Sequence, residues 1–154
     1  NSTARFDFTA PPRTIELFSA TEPPHYVARG WLLTRERPNG GRPAAYLRNL
    51  RSGHTHRSVY SDALGAPSAV WCGNSVVTAA SRRRGRRGRA IGIEQYDPAG
   101  DRILGQADIF EHEAPVEGVA LVCDRERIIL LASVAETSSL PSRILGFVVE
   151  LADP

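Results

Sequence analysis

Arg82, Arg83, Arg84, Arg86, Arg87 and Arg89 place six guanidinium groups within eight residues. Such a density of fixed charge suits bidentate contacts to carboxylates or phosphates. No aromatic residue is interleaved, so base stacking is not indicated, and a nucleic-acid contact here would be nonspecific and salt-sensitive. The acidic stretch Asp108, Glu111, Glu113 and Glu117 contains no Arg. Screening of the arginines by these acids is therefore the first expectation. Docking to an acidic protein surface comes next, and nucleic acid after that.

Two other groupings carry side chains capable of chemistry. His54-Thr55-His56 offers two imidazoles, and Glu111-His112-Glu113 adds a third with two carboxylates. Cys72, Ser75, His25 and Asp62 supply the types of a nucleophile–base device, but no spacing singles out such a set. The basic residues are 19 Arg with no Lys, which removes Schiff-base chemistry and the phosphate-loop lysine. No catalytic residue is assigned, and no metal or cofactor is expected.

The elements that must position these groups read as strands. Short runs rich in Val, Ile, Leu, Tyr or Phe are bounded by Gly, Pro, Asn, Asp or Ser. They fall at Arg5–Phe8, Thr14–Phe18, Tyr26–Arg29, Trp31–Arg35, Ala44–Leu50, Arg57–Tyr60, Ala69–Cys72, Ser75–Ala80, Ala90–Tyr96, Arg102–Ile109, Val119–Cys123, Arg127–Val134 and Arg143–Leu151. Asp124–Glu136 also admits a helix capped by Asp124, with Ile128, Leu131 and Val134 on one side.

A repeat argues for the strand there. Val70–Ser81 lies over Leu121–Ser133, each an apolar strand ending in Cys, a polar turn and a second strand closing in Ala-Ser. Val27–Thr34 is an earlier copy. The third strand of each unit ends at Asn49, Asp97 or Asp153, about 48 and 56 positions apart. Repeats are thus bounded at 1–22 (partial), 23–65, 66–113 and 114–154 (partial), within one all-β domain of 154 residues. The longest apolar run, Ile128–Ala132, is far short of the roughly 20 residues of a membrane helix, and no membrane partner is expected.

This unit resembles the β-propeller blade of the broad WD40-like and quinoprotein-like kind, with Asp97-Pro98-Ala99-Gly100 where such blades turn from third to fourth strand. The resemblance implies about three four-stranded antiparallel blades in an incomplete ring. Another chain, or further copies, would complete it. A β-trefoil of three four-stranded repeats is the alternative.

In a propeller the arginine-rich segment would be a flexible loop between second and third strands, on the same face as the acidic stretch. The two His-bearing triplets would face opposite ends of a blade. Cys72 and Cys123 would sit at equivalent positions of adjacent blades, too far apart to bond, and are read as small buried hydrophobes. Trp31 and Trp71 would fill the gaps between blades.

Functionally, the expectation is a noncatalytic interaction or scaffold module. The alternatives are a propeller fragment whose enzymatic or ligand site lies in a central channel, and a polyanion binder using the arginines. The compartment is left open.

Overall fold

In the computed structural model, residues 26–37, 43–58, 67–84, 88–112, 115–125, 127–135 and 143–151 are described. Expected strands Arg5–Phe8 and Thr14–Phe18, together with Arg86 and Arg87, lie outside them. Eleven strands and no helix occur among the described residues. None of them is a helix long and apolar enough to cross a membrane.

Three antiparallel meanders follow one another along the chain. The first contains β1 (Tyr26–Ala28), β2 (Trp31–Glu36), β3 (Ala44–Asn49) and β4 (Thr55–Arg57). The second contains β5 (Ser68–Cys72), β6 (Ser75–Arg84), β7 (Gly88–Asp97) and β8 (Arg102–His112). The third has three strands, β9 (Val116–Asp124), β10 (Arg127–Val134) and β11 (Arg143–Glu150). Every described ladder joins neighbours within one sheet, so each meander is a closed hydrogen-bonding unit.

Turn chemistry sets these boundaries. Between β1 and β2, Arg29 and Gly30 both take positive φ (50° and 76°), the pattern of a tight primed hairpin turn. Between β5 and β6 the first turn residue is Gly73 at φ 57°. The repeated Asn49 and Asp97 have a physical role. Asn49 Oδ1 accepts the backbone N–H of Arg51 and Ser52 at 2.9 and 3.0 Å, and Asp97 Oδ1 accepts that of Ala99 at 3.0 Å. A short carbonyl-bearing side chain replaces a backbone acceptor and turns the third strand into the fourth.

The sheets are layered with the second in the middle. Trp31, Leu33, Ala45 and Leu47 of the first sheet pack on Ala69, Val76 and Tyr96 of the second. Val77, Ala79, Ile91 and Ile93 on the opposite face pack on Ile128, Leu130, Ala132 and Val134 of the third. Two covered faces explain why Ser75–Ser81 and Ala90–Tyr96 are buried without interruption. Along β10 burial alternates instead, since only one face of the third sheet is covered. This period of two places Ile128, Leu130, Ala132 and Val134 together, which a helix would not do, and excludes the helical alternative for Asp124–Glu136. Trp31 is buried and Trp71 half-buried, both against the core between the first two sheets.

Two expectations are corrected. The fourth strand of the first sheet runs Thr55–Arg57 and starts two residues before the expected Arg57, because the Asn49 turn and Gly53 (φ 73°) reverse the chain early; Val59 and Tyr60 of the expected Arg57–Tyr60 lie outside the described residues. Cys72 and Cys123 form a disulfide with a Cα–Cα separation of 5.4 Å. The reading of both as unpaired hydrophobes fails because β5 and β9, the first strands of consecutive sheets, approach each other at their C-terminal ends. The bond therefore staples two sheets that share no hydrogen-bonded ladder.

Closing a loop of this length restricts the unfolded chain by about 4 kcal/mol in the chain-entropy account. Urea unfolding with and without reductant, and of Cys72→Ser/Cys123→Ser, is expected to show most of that loss. An unchanged midpoint would mean that no such staple exists.

Candidate functional site

The arginine-rich segment is not an excursion from its first residue onward. The β6–β7 ladder continues through Arg82↔Ala90, Arg83↔Arg89 and Arg84↔Gly88. Repulsion between the guanidinium groups is offset from β8. Arg82 Nε lies 2.8 Å from Asp108 Oδ1, and its Nη2 donates to Asp108 Oδ2. Arg84 pairs with Glu111 and lies 3.5 Å from Asp108.

The intervening residues on β7 are Ala90 and Gly92, small enough for the long side chains to cross that strand. The Asp108 carboxyl is held below its usual 3.8, first by the hydrogen bond from Arg82 and then by the charges of Arg82 and Arg84, against the opposing effect of burial. Gly88 is required by close approach, since a Cβ there would lie 2.8 Å from the Arg84 carbonyl oxygen. Among the described residues, no ion pair joins Arg83 or Arg89 to an acid.

The densest cluster of titratable groups lies elsewhere, between the first two sheets. His56 projects from β4 across the first core, and its Nε2 is 2.9 Å from Glu94 Oε1 on β7. Glu94 is fully buried. A carboxylate in that position requires a polar partner, and the imidazole supplies one. The His56 ring also stacks on Tyr96, with centroids 3.9 Å apart and planes inclined by 12°.

Tyr96 Oη donates to Asp101 Oδ1 at 2.7 Å. His54 Nε2 completes the group, 3.2 Å from Tyr96 Oη and 3.1 Å from Asp101 Oδ1. Trp31 meets both His54 and Tyr96 in T-shaped contacts, with planes inclined by 77° and 74°. Burial, reinforced by the bond to Asp101, raises the Tyr96 phenol well above its ordinary value of 10.0. The same bond lowers the Asp101 carboxyl, and the charge of His54 adds to the effect. Tyr96 is thus a fixed donor and Asp101 a fixed acceptor at neutral pH.

This arrangement clamps two sheets. Among the described residues, no Ser, Thr or Cys side chain is hydrogen-bonded to either imidazole, so the seam lacks the nucleophile–base contact of covalent catalysis. Nor do three or more described His, Cys, Asp or Glu side chains converge as metal ligands. His54 and His56, considered above as metal ligands, turn to Asp101 and Glu94 instead.

Glu94, Tyr96 and Asp101 were not singled out by the sequence. The available signal was an acid at position 94 inside the apolar run Ala90–Tyr96, together with imidazoles two residues apart, hence on one side of a strand. The sequence matches no known family model, and no curated protein is recognisably similar to it.

Removing one member of a buried pair leaves the other poorly compensated. His56→Ala is expected to lower stability by about 3 kcal/mol, and His56→Phe combined with Glu94→Leu to recover much of it. Equilibrium unfolding of the set checks this. A cost for His56→Ala below about 0.5 kcal/mol, the level of an ordinary surface change, would contradict it.

Proposed function

We propose that this chain is a noncatalytic interaction module, a run of about three propeller-like blades whose third sheet seats on a further blade. That blade comes from another polypeptide or another copy. Successive antiparallel meanders, two of four described strands and one of three, stacked face to face support the blade reading. The absence of any ladder between sheets among the described residues weighs against a trefoil, in which repeats share a barrel.

One observation carries the functional reading. The outer face of the third sheet is apolar and open, with Ile144 75%, Val148 67%, Val122 50% and Leu131 41% exposed. These residues share one face, because Val122 and Val148 both pair with Ile129, while Leu131 and Ile144 pair with Gly146 and Ser133. The first and second sheets bury the corresponding faces against their successors. A contiguous exposed apolar patch of this kind marks an interaction surface.

Polyanion binding is less well supported, since Arg82 and Arg84 already engage Asp108 and Glu111. For an enzymatic site, no described cluster supplies the required contacts.

Light scattering over a range of concentrations tests the proposal. Without its partner the open face is expected to self-associate, giving a mass that climbs above 16.8 kDa. Ile144→Arg/Val148→Arg is expected to restore the monomer with an unchanged far-UV spectrum. A monodisperse wild-type monomer at every concentration would overturn the proposal.

A further inference from the structure

Like charges directly opposed on a ladder repel, and an acid beside them ordinarily offsets the repulsion. Arg82 and Arg84 have such acids, since Asp108 and Glu111 lie across Ala90 and Gly92 on their own face of the second sheet. Arg83 and Arg89 do not. They oppose one another across the β6–β7 ladder on the other face, and no ion pair joins either to an acid among the described residues. We infer that Arg83 and Arg89, together with the Ser81 hydroxyl, bind a phosphomonoester dianion. This goes beyond the interaction-module reading and does not rest on it, because the site lies on the second sheet and the open apolar face on the third.

Position supplies the first argument. Strand alternation puts Ser81, Arg83, Arg89 and Ile91 on one face, the face whose Val77, Ala79 and Ile93 pack under the third sheet. Ser81 is 2% exposed and Ile91 fully buried, whereas Arg83 is exposed and Arg89 half-buried. The cover therefore ends between these two opposed pairs. Both arginines stand at its rim, on positions whose Cβ atoms are about 5 Å apart.

The hydroxyl supplies the second argument. Ser81 Oγ is buried and makes no hydrogen bond. A buried donor without an acceptor is unfavourable. The next residue of the same face along β6 is Arg83. An anion held between the two guanidinium groups at this rim supplies the missing acceptor as well as the missing charge.

The chemistry of the ligand follows from its oxygens. A carboxylate has two oxygens and one charge, and a single guanidinium fork engages both, as Arg82 does with Asp108. A phosphodiester likewise has two free oxygens and one charge. Either would satisfy one arginine and leave the other. A phosphomonoester has three free oxygens and close to two charges at neutral pH. That suffices for two forks sharing an oxygen, with a lone pair left for the Ser81 hydroxyl.

The test titrates phenyl phosphate into the full chain at neutral pH and constant ionic strength, following backbone amide shifts by NMR. Saturable shifts at 81–84 and 88–91 are expected, with a Kd of about 1 mM or tighter. Arg83→Gln and Arg89→Gln should each weaken binding at least about tenfold. The thermal midpoint of either ligand-free variant should stay level or rise, because a repulsion is relieved. Ser81→Ala should weaken binding about fivefold without loss of stability, since no hydrogen bond is removed. Arg51→Gln, an equal change of charge at an exposed turn of the first sheet, should leave binding unchanged.

Inorganic phosphate, run in parallel, separates recognition of the dianion alone from recognition of the group that carries it. Dimethyl phosphate, the singly charged diester of nucleic-acid backbones, should bind at least about tenfold more weakly. Equal binding of the diester, equal weakening by Arg51→Gln, or no saturation up to about 50 mM phenyl phosphate, well beyond the expected Kd, would overturn the inference.

Discussion

The structure depends on the burial of both faces of its second sheet. β6 and β7 are central strands with a neighbour sheet above and below, so side chains of both parities leave water. Apolar burial is proportional to area and indifferent to direction, and a doubly covered layer gains from it twice. The cost is that polar groups in those strands are cut off from water. Glu94 is compensated by His56 and Gln95 by the Ser75 hydroxyl at 3.1 Å, whereas Thr78 Oγ1 and Ser81 Oγ of β6 are buried without a hydrogen bond.

Sheets that share no hydrogen-bonded ladder can slide, and the cross-sheet ties act against that. The Cys72–Cys123 bond joins the second sheet to the third. His56–Glu94, the His54–Tyr96–Asp101 group and the bond from Arg29 Nη1 to the Gly73 carbonyl at 2.9 Å join the first to the second. Arg29 also lies over the Trp71 ring, 4.8 Å from its centroid. Apolar contact sets which faces meet, and these directional contacts set where along each face they meet. A disulfide in this role suits an oxidising compartment.

Much of the strand pattern was legible because turn chemistry and period-two burial are local. Asn49 and Asp97 advertise the same bend, and Arg127–Val134 was bounded as it is found. Properties arising between sheets were not legible. Nothing in a spacing of 51 residues reveals that β5 and β9 converge at Cys72 and Cys123. The run of arginines looked like a loop because its own charges repel. Only the acids on β8, seen across Ala90 and Gly92, explain why the ladder continues to Arg84. The full burial of Glu94 follows from its strand being covered on both sides, which no local pattern encodes.

β6, β7 and β10 are all hydrogen-bonded along both edges, so they differ mainly in how many faces are covered. Residue-resolved hydrogen exchange of the isolated chain therefore isolates that difference. Amides within 75–81 and 90–96 are expected to exchange most slowly, near the rate of global unfolding, with β10 measurably faster. Equal or greater protection in β10 would contradict an uncovered third sheet, and with it the proposed interaction surface.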